Sequence, residues 1–363
     1  MTRRELLFYL RGLGGATLLA GESFAARTDL LPSFWKNRLP DVDRAMKQAK
    51  KGHVQLLAKS AGQRDIYLVT YGQKDNLVST ANYNSACGGN DPASYRRKDG
   101  KQKPVVFLLG PVHGQEIEGV VGLMNLLAVA ETGLDLYGRD WPDLAANLAR
   151  CRLLIVPVGN PDGRARCSVD SWVGADPHVH ERIGMGTQAD GTNYVWPMVK
   201  RFHPMQGARV GQLGSYFNDH GMNLMHDDWF EPMAAETGAY LFIVLLHSHN
   251  SRPSVEPTAY VPRTVKETIR TFANRLYARY RAAALPARDS GPETEEDGAT
   301  FPPPSFNLAS ALHHVCGSVA FVHECPSGVK EGAPVTHEQI LAIEMLLYEE
   351  LFQFAVERPV RWV

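Results

Sequence analysis

His113 and Glu116 stand three positions apart in the run His113-Gly114-Gln115-Glu116. They fall where an apolar stretch ends and a helical pattern begins, so an imidazole and a carboxylate can face one point. A second imidazole, His247, follows six apolar residues, 241–246; if buried, it needs a hydrogen bond or a metal. Two histidines and one glutamate form a donor set that catalytic zinc accepts, with a fourth position left open. His249 would share the His247 face of a strand and is the fallback ligand or a supporting group. Zinc lowers the pKa of bound water to about 7, and the reaction still needs a base. Glu324 ends the run Val319-Ala320-Phe321-Val322-His323, where partial desolvation would raise its pKa toward that of a proton shuttle. Each residue alone also fits a structural role, such as acidic side chains at a helix start. Their shared placement argues for chemistry.

That placement comes from four short apolar runs, 104–109, 153–158, 241–246 and 318–322, each with the near-continuous hydrophobicity of a strand buried on both faces. Helical patterns fall at 117–130, 141–148, 234–238, 265–284 and 337–356. Strands alternating with helices predict a mostly parallel or mixed sheet covered on both sides. After the four runs come His113, Asn160-Pro161-Asp162-Gly163, His247 and Glu324. Ligands bind at that carboxyl edge in open α/β sheets, so residues distant in sequence can converge there. Upstream, 54–58 and 65–71 predict a hairpin at a sheet edge after a helix over 41–51, and 84–103 reads as a polar loop. Residues 285–305, with Pro302-Pro303-Pro304, read as a surface excursion.

The composition is that of a globular chain: 363 residues, 44% hydrophobic and 21% charged. With 38 Lys plus Arg against 39 Asp plus Glu, the net charge is −1, which disfavours phosphate-backbone binding; no nucleic-acid partner is expected. Five cysteines at irregular spacing, with no CxxC pair, read chiefly as buried free thiols. Residues 1–26 contain Arg3-Arg4, a weakly apolar stretch over 12–21 and Ala25-Ala26. This order predicts a twin-arginine-like export signal, hence a periplasmic destination, with an apolar stretch too short to span a bilayer permanently. A lead-in over 27–53 and a catalytic domain over 54–363 complete the expected organisation, with oligomeric state open.

In order and context these residues resemble the zinc carboxypeptidase family. Gly110-Pro111-Val112-His113-Gly114-Gln115-Glu116 looks like its His-x-x-Glu motif, and Val156-Pro157-Val158-Gly159-Asn160-Pro161-Asp162-Gly163 is similar to its Asn-Pro-Asp-Gly strand and turn. Leu246-His247-Ser248 resembles the third-ligand segment, Phe321-Val322-His323-Glu324 the catalytic-glutamate segment, and residues 58–64 the early hairpin. The resemblance implies a three-layer α/β/α sandwich around a mixed, mostly parallel eight-stranded sheet, one zinc held by His113, Glu116 and His247, and hydrolysis of a peptide or amide substrate.

The chain departs from the family where substrate is read. The family has an Asn-Arg pair after a glycine; the matching stretch here is Gly221-Met222-Asn223-Leu224-Met225-His226-Asp227-Asp228, which contains no arginine. His226 lacks the permanently charged fork that reads a carboxylate, and Asp227 and Asp228 would repel one. Asn223, His226, Asp227 and Asp228 are the substrate-binding candidates, suited to a cationic or amidated group. Arg201, with Lys200 next, is the candidate oxyanion-stabilising cation. Two other readings remain: a non-catalytic metal-binding member of the fold, and an aspartoacylase-like deacylase.

Overall fold

The computed structural model describes residues 31–74, 103–196, 198–199, 202, 204–226, 242–295 and 306–358. Its strands are β1 (His53–Lys59), β2 (Asp65–Tyr71), β3 (Val105–Leu109), β4 (Arg152–Val156), β5 (Gly186–Gln188), β6 (Val210–Leu213), β7 (Phe242–His249), β8 (Ser254–Glu256) and β9 (Val319–Pro326). Its helices are α1 (Leu39–Gln48), α2 (Glu118–Thr132), α3 (Pro142–Arg150), α4 (Pro161–Arg166), α5 (Pro177–Met185), α6 (Arg263–Ala282), α7 (Leu308–Cys316) and α8 (His337–Glu357).

Seven strands form one sheet in the order β1-β2-β4-β3-β7-β9-β8. The four strands read as buried runs, β4, β3, β7 and β9, are its parallel centre, and the β1–β2 hairpin lies at one edge. The mixed α/β architecture is as expected, although the described residues give the main sheet seven strands where eight were expected. The remaining pair, β5–β6, forms a separate ribbon.

The period-2 alternation of each central strand divides the core in two. Val106, Leu108, Val244, Leu246, Val319 and Phe321 face one side, under α2, α3, α6 and α8. Ile243, Leu245, Ala320 and Val322 face the other, where α7 packs. Continued along the strands, the alternation puts His247 and Glu324 on the α7 face and Ser248, His323 and Cys325 on the opposite one.

Helix α2 buries nearly its whole circumference, including Val120, Leu123, Met124 and Leu127, and so is apolar all round rather than along one stripe. The final helix begins with a capping box between Thr336 and Gln339, which satisfies two otherwise orphaned backbone N–H groups. Cys151, Cys167, Cys316 and Cys325 are free and buried; Cys87, the patterned segment 234–238 and the export-signal residues 1–26 lie outside the described residues. No helix among the described residues is long and apolar enough to cross a membrane.

Candidate metal centre

The loop after β3 carries the first two candidate ligands. The Glu116 N–H bonds back to the His113 carbonyl at 3.1 Å, a tight turn that brings side chains three apart onto one side. Glu116 therefore sits in the turn ahead of α2. The turn is wedged against its neighbours: the Gly114 N–H donates to the Ser215 carbonyl at 2.7 Å, and a Cβ on Gly114 would overlap the backbone of Gly163. Glycine at 114 permits this close approach of two chains.

His247 comes from β7, in register with Glu324 on the adjacent parallel strand β9. His113 Nδ1 lies 2.7 Å from Glu116 Oε1, and His247 Nδ1 lies 2.9 Å from Glu116 Oε2. The donor atoms of the three residues lie within 4.8 Å of one another, and all three side chains are buried. The two rings meet edge to face at 4.8 Å.

The tautomer of His113 follows from its other nitrogen. Asn223 Oδ1 accepts from the Met225 backbone N–H at 3.0 Å, which fixes that atom as the amide oxygen, since a backbone N–H only donates. His113 Nε2, 3.2 Å from the same oxygen, therefore carries a proton, which leaves Nδ1, 2.7 Å from Glu116 Oε1, as the nitrogen that would bind a metal. Tyr216 stacks on the other side of the ring at 3.5 Å with planes 13° apart. Sequence reasoning did not find Tyr216, whose segment has no apolar period.

Burial would raise the Glu116 carboxyl, but His113 and His247 outweigh it and hold it below the usual carboxylate range. Burial lowers the His113 pKa despite Glu116. For His247 burial acts the same way, but the Glu116 carboxylate overrides it and the pKa is raised. An anionic carboxylate with two imidazole Nδ1 atoms aimed at it fits a divalent cation of borderline softness, for which neutral nitrogen and one carboxylate are suitable ligands.

Glu324 is half-buried. Burial, with nearby Glu116 and Glu256, raises its carboxyl above the usual carboxylate range against the opposing pull of His247 and Arg288. His249 stands outside the cluster, with Nε2 3.2 Å from Ser254 Oγ. Asn223 is at the site, its oxygen committed to His113. His226 follows in the same turn, its N–H bonded to the Asn223 carbonyl at 3.1 Å. Lys200, Arg201, Asp227 and Asp228 lie outside the described residues.

The Asn-Pro-Asp-Gly turn holds the site together rather than entering it. Asn160 caps α4 by accepting from the Gly163 N–H at 2.9 Å. The fully buried Asp162 accepts from the hydroxyl of Ser60, the Gly62 N–H at 3.0 Å, Arg64 at 2.8 Å and the Asp219 N–H at 3.2 Å.

Residues 43–185 match the family model described as zinc carboxypeptidase, a stretch containing the His113–Glu116 turn and the Asn160–Gly163 turn. Among solved structures, the chain shares its fold with carboxypeptidase A from Helicoverpa armigera, at 13% identity and a TM-score of 0.52, covering 97% of this chain and 80% of that one. A metallo-carboxypeptidase from Burkholderia cenocepacia is 15% identical with a TM-score of 0.51, over 86% of this chain and 68% of that one. A provisionally assigned carboxypeptidase from Burkholderia mallei is 14% identical with a TM-score of 0.51, over 86% of this chain and 66% of that one. The chain thus spans about two thirds of the length of the two Burkholderia proteins. No curated protein matches the sequence.

Proposed function

We propose that the chain is a zinc-dependent hydrolase of peptide or amide bonds, with His113, Glu116 and His247 as zinc ligands and Glu324 as the catalytic carboxylate. The observation that carries this reading is the convergence of three buried donors within 4.8 Å beside Glu324, the register partner of His247. When bound, zinc supplies Lewis-acid chemistry for water activation and carbonyl polarisation. The protein's part is proton handling and orientation. Glu324, in register with His247, is the carboxylate placed to accept a proton from the attacking water and return it to the leaving nitrogen. Asn223 and Tyr216 hold the His113 ring in place.

The residues from Gly221 to Asp228 include no guanidinium for a substrate carboxylate, so their composition suits a cationic or amidated group read by Asp227 and Asp228, with Arg201 the candidate oxyanion partner. Replacing Glu324 by Gln should lower turnover of a peptide and acyl-amino-acid library by about a hundredfold or more while zinc content, measured by mass spectrometry, stays at that of the parent. A zinc-loaded protein inert across amide and ester libraries would overturn the reading in favour of a non-catalytic metal-binding role.

Export is part of the same proposal, supported by Arg3-Arg4, the apolar stretch over 12–21 and Ala25-Ala26. Cell fractionation should find the full chain outside the cytoplasm and the Arg3→Lys, Arg4→Lys variant retained inside. Equal distribution of the two would refute the twin-arginine signal.

A further inference from the structure

The sheet face that carries His247 and Glu324 continues beyond them on the β8 side. Ser254 pairs opposite Glu324, and Glu256 opposite Val322; residues opposite each other in an antiparallel pair share a face. Ser254 Oγ donates to Glu256 Oε1 at 2.5 Å, and Arg288 Nη2 lies 3.8 Å from that same oxygen. Beside this row opens a cleft of about 550 Å³ lined by Ser251, Arg252, Arg288, Asp289, Ser290 and Gly332. Gly332 has φ +99° and runs so close to Asn250 that a Cβ would overlap its carbonyl oxygen, which keeps that wall free of a side chain.

The lining carries two guanidiniums against the Asp289 carboxylate, with Glu256 beside it. Arg288 shares Glu256 at a distance too long for a hydrogen bond. Among the described residues, Arg252 reaches the Ala287 carbonyl alone, at 3.5 Å. Both planar forks thus retain donors for an incoming carboxylate, and Ser251 and Ser290 add neutral hydrogen-bonding groups.

Strand order places this cleft relative to the rest of the site. The central sequence β3-β7-β9-β8 puts His113, with its partner Asn223, on the β3 flank of the metal centre and the arginines on the β8 flank. The sequence 221–228 contains no arginine or lysine, whereas the β8 flank carries two arginines. We propose that Arg252 and Arg288 form a substrate subsite that reads a carboxylate carried on the β8 side of the scissile bond. The term scissile rests on the hydrolase reading; the binding does not.

The test uses N-acetylated tripeptides with Glu at one position at a time, each paired with its Gln counterpart and prepared as both C-terminal acid and amide. Affinity is measured by calorimetry on zinc-loaded Glu324→Gln protein, and kcat/KM on the zinc-loaded parent. At one position Glu should be preferred over Gln by roughly tenfold, as expected for a bidentate pair partly open to solvent. A preference confined to the acid-versus-amide comparison would instead assign the carboxylate to the chain terminus. Arg288→Gln and Arg252→Gln should each bring the ratio toward one, with Arg288→Lys keeping part of it; both arginines are exposed, and circular dichroism checks folding. Carboxylate preference in binding that disappears in Arg288→Gln, without turnover of any peptide, would leave the subsite standing and remove the hydrolase reading. Turnover without carboxylate preference at any position, or a preference that survives the double Arg252→Gln, Arg288→Gln variant, would overturn the subsite alone.

Discussion

At the level of single residues, the centre depends on one hydrogen bond more than its donor set suggests. Asn223 Oδ1 holds the proton of His113 on Nε2 and so leaves Nδ1 as the donor atom. Replacing Asn223 by Ala would leave a buried N–H without an acceptor and release the tautomer and ring orientation. Metal affinity should fall by about tenfold to a hundredfold, the range for residues that support a ligand through its second nitrogen, as measured by competition with a chelating dye. An unchanged dissociation constant would show that Tyr216 stacking alone fixes the ring. Gln or His at 223 would be poor tests, because each adds bulk at a buried position.

The elements were unequally legible. The parallel centre could be read because β3, β4, β7 and β9 are runs of consecutive apolar residues, as burial on both faces requires; their carboxyl ends placed His113, His247 and Glu324. Strand β8 and the β5–β6 ribbon span three or four residues each, too few for a period to register. Helix α7 was missed although Asn307 caps it, accepting from the Ser310 N–H, and Gly317 ends it with φ +66°; those two capping residues were its signal. Tyr216 was out of reach because the segment 214–226 has no regular structure and is held by contacts between loops. Asp162 is central to those contacts, tying the β1–β2 turn and Asp219 to the Asn160–Gly163 turn. Asp162→Ala should lower the unfolding free energy in urea by about 3 kcal/mol, because four partly buried donors lose one fully buried charged acceptor together. A loss below about 1 kcal/mol would mean that water replaces the carboxylate, as at an exposed ion pair.

For the whole molecule, the buried groups under the other face of the sheet set a pH response separate from the metal centre. Glu344 is fully buried, accepts from the Tyr348 hydroxyl at 2.9 Å, and is pushed up by burial to about 7. His323, also fully buried and bonded to Tyr280 at 3.1 Å, is pushed down by burial to about 3. Glu344 binds its proton more tightly folded than unfolded. Its contribution is therefore complete below the ordinary glutamate pKa and is lost as pH rises through about 7. His323 acts in the opposite direction: its contribution is complete above the ordinary histidine pKa and is lost as pH falls toward about 3. Glu344→Gln keeps an acceptor for Tyr348 but cannot ionise, so it isolates the first effect. Relative to the parent, the variant should gain about 2–3 kcal/mol of unfolding free energy between pH 5 and pH 8. Urea melts of both proteins in excess chelator would measure the difference, because titration of Glu116, His247 and Glu324 is common to the two and cancels. A gap between parent and variant that stays constant over that interval would show that Glu344 is already ionised in the folded protein at pH 5, and that the hydroxyl of Tyr348 stabilises the anion against burial.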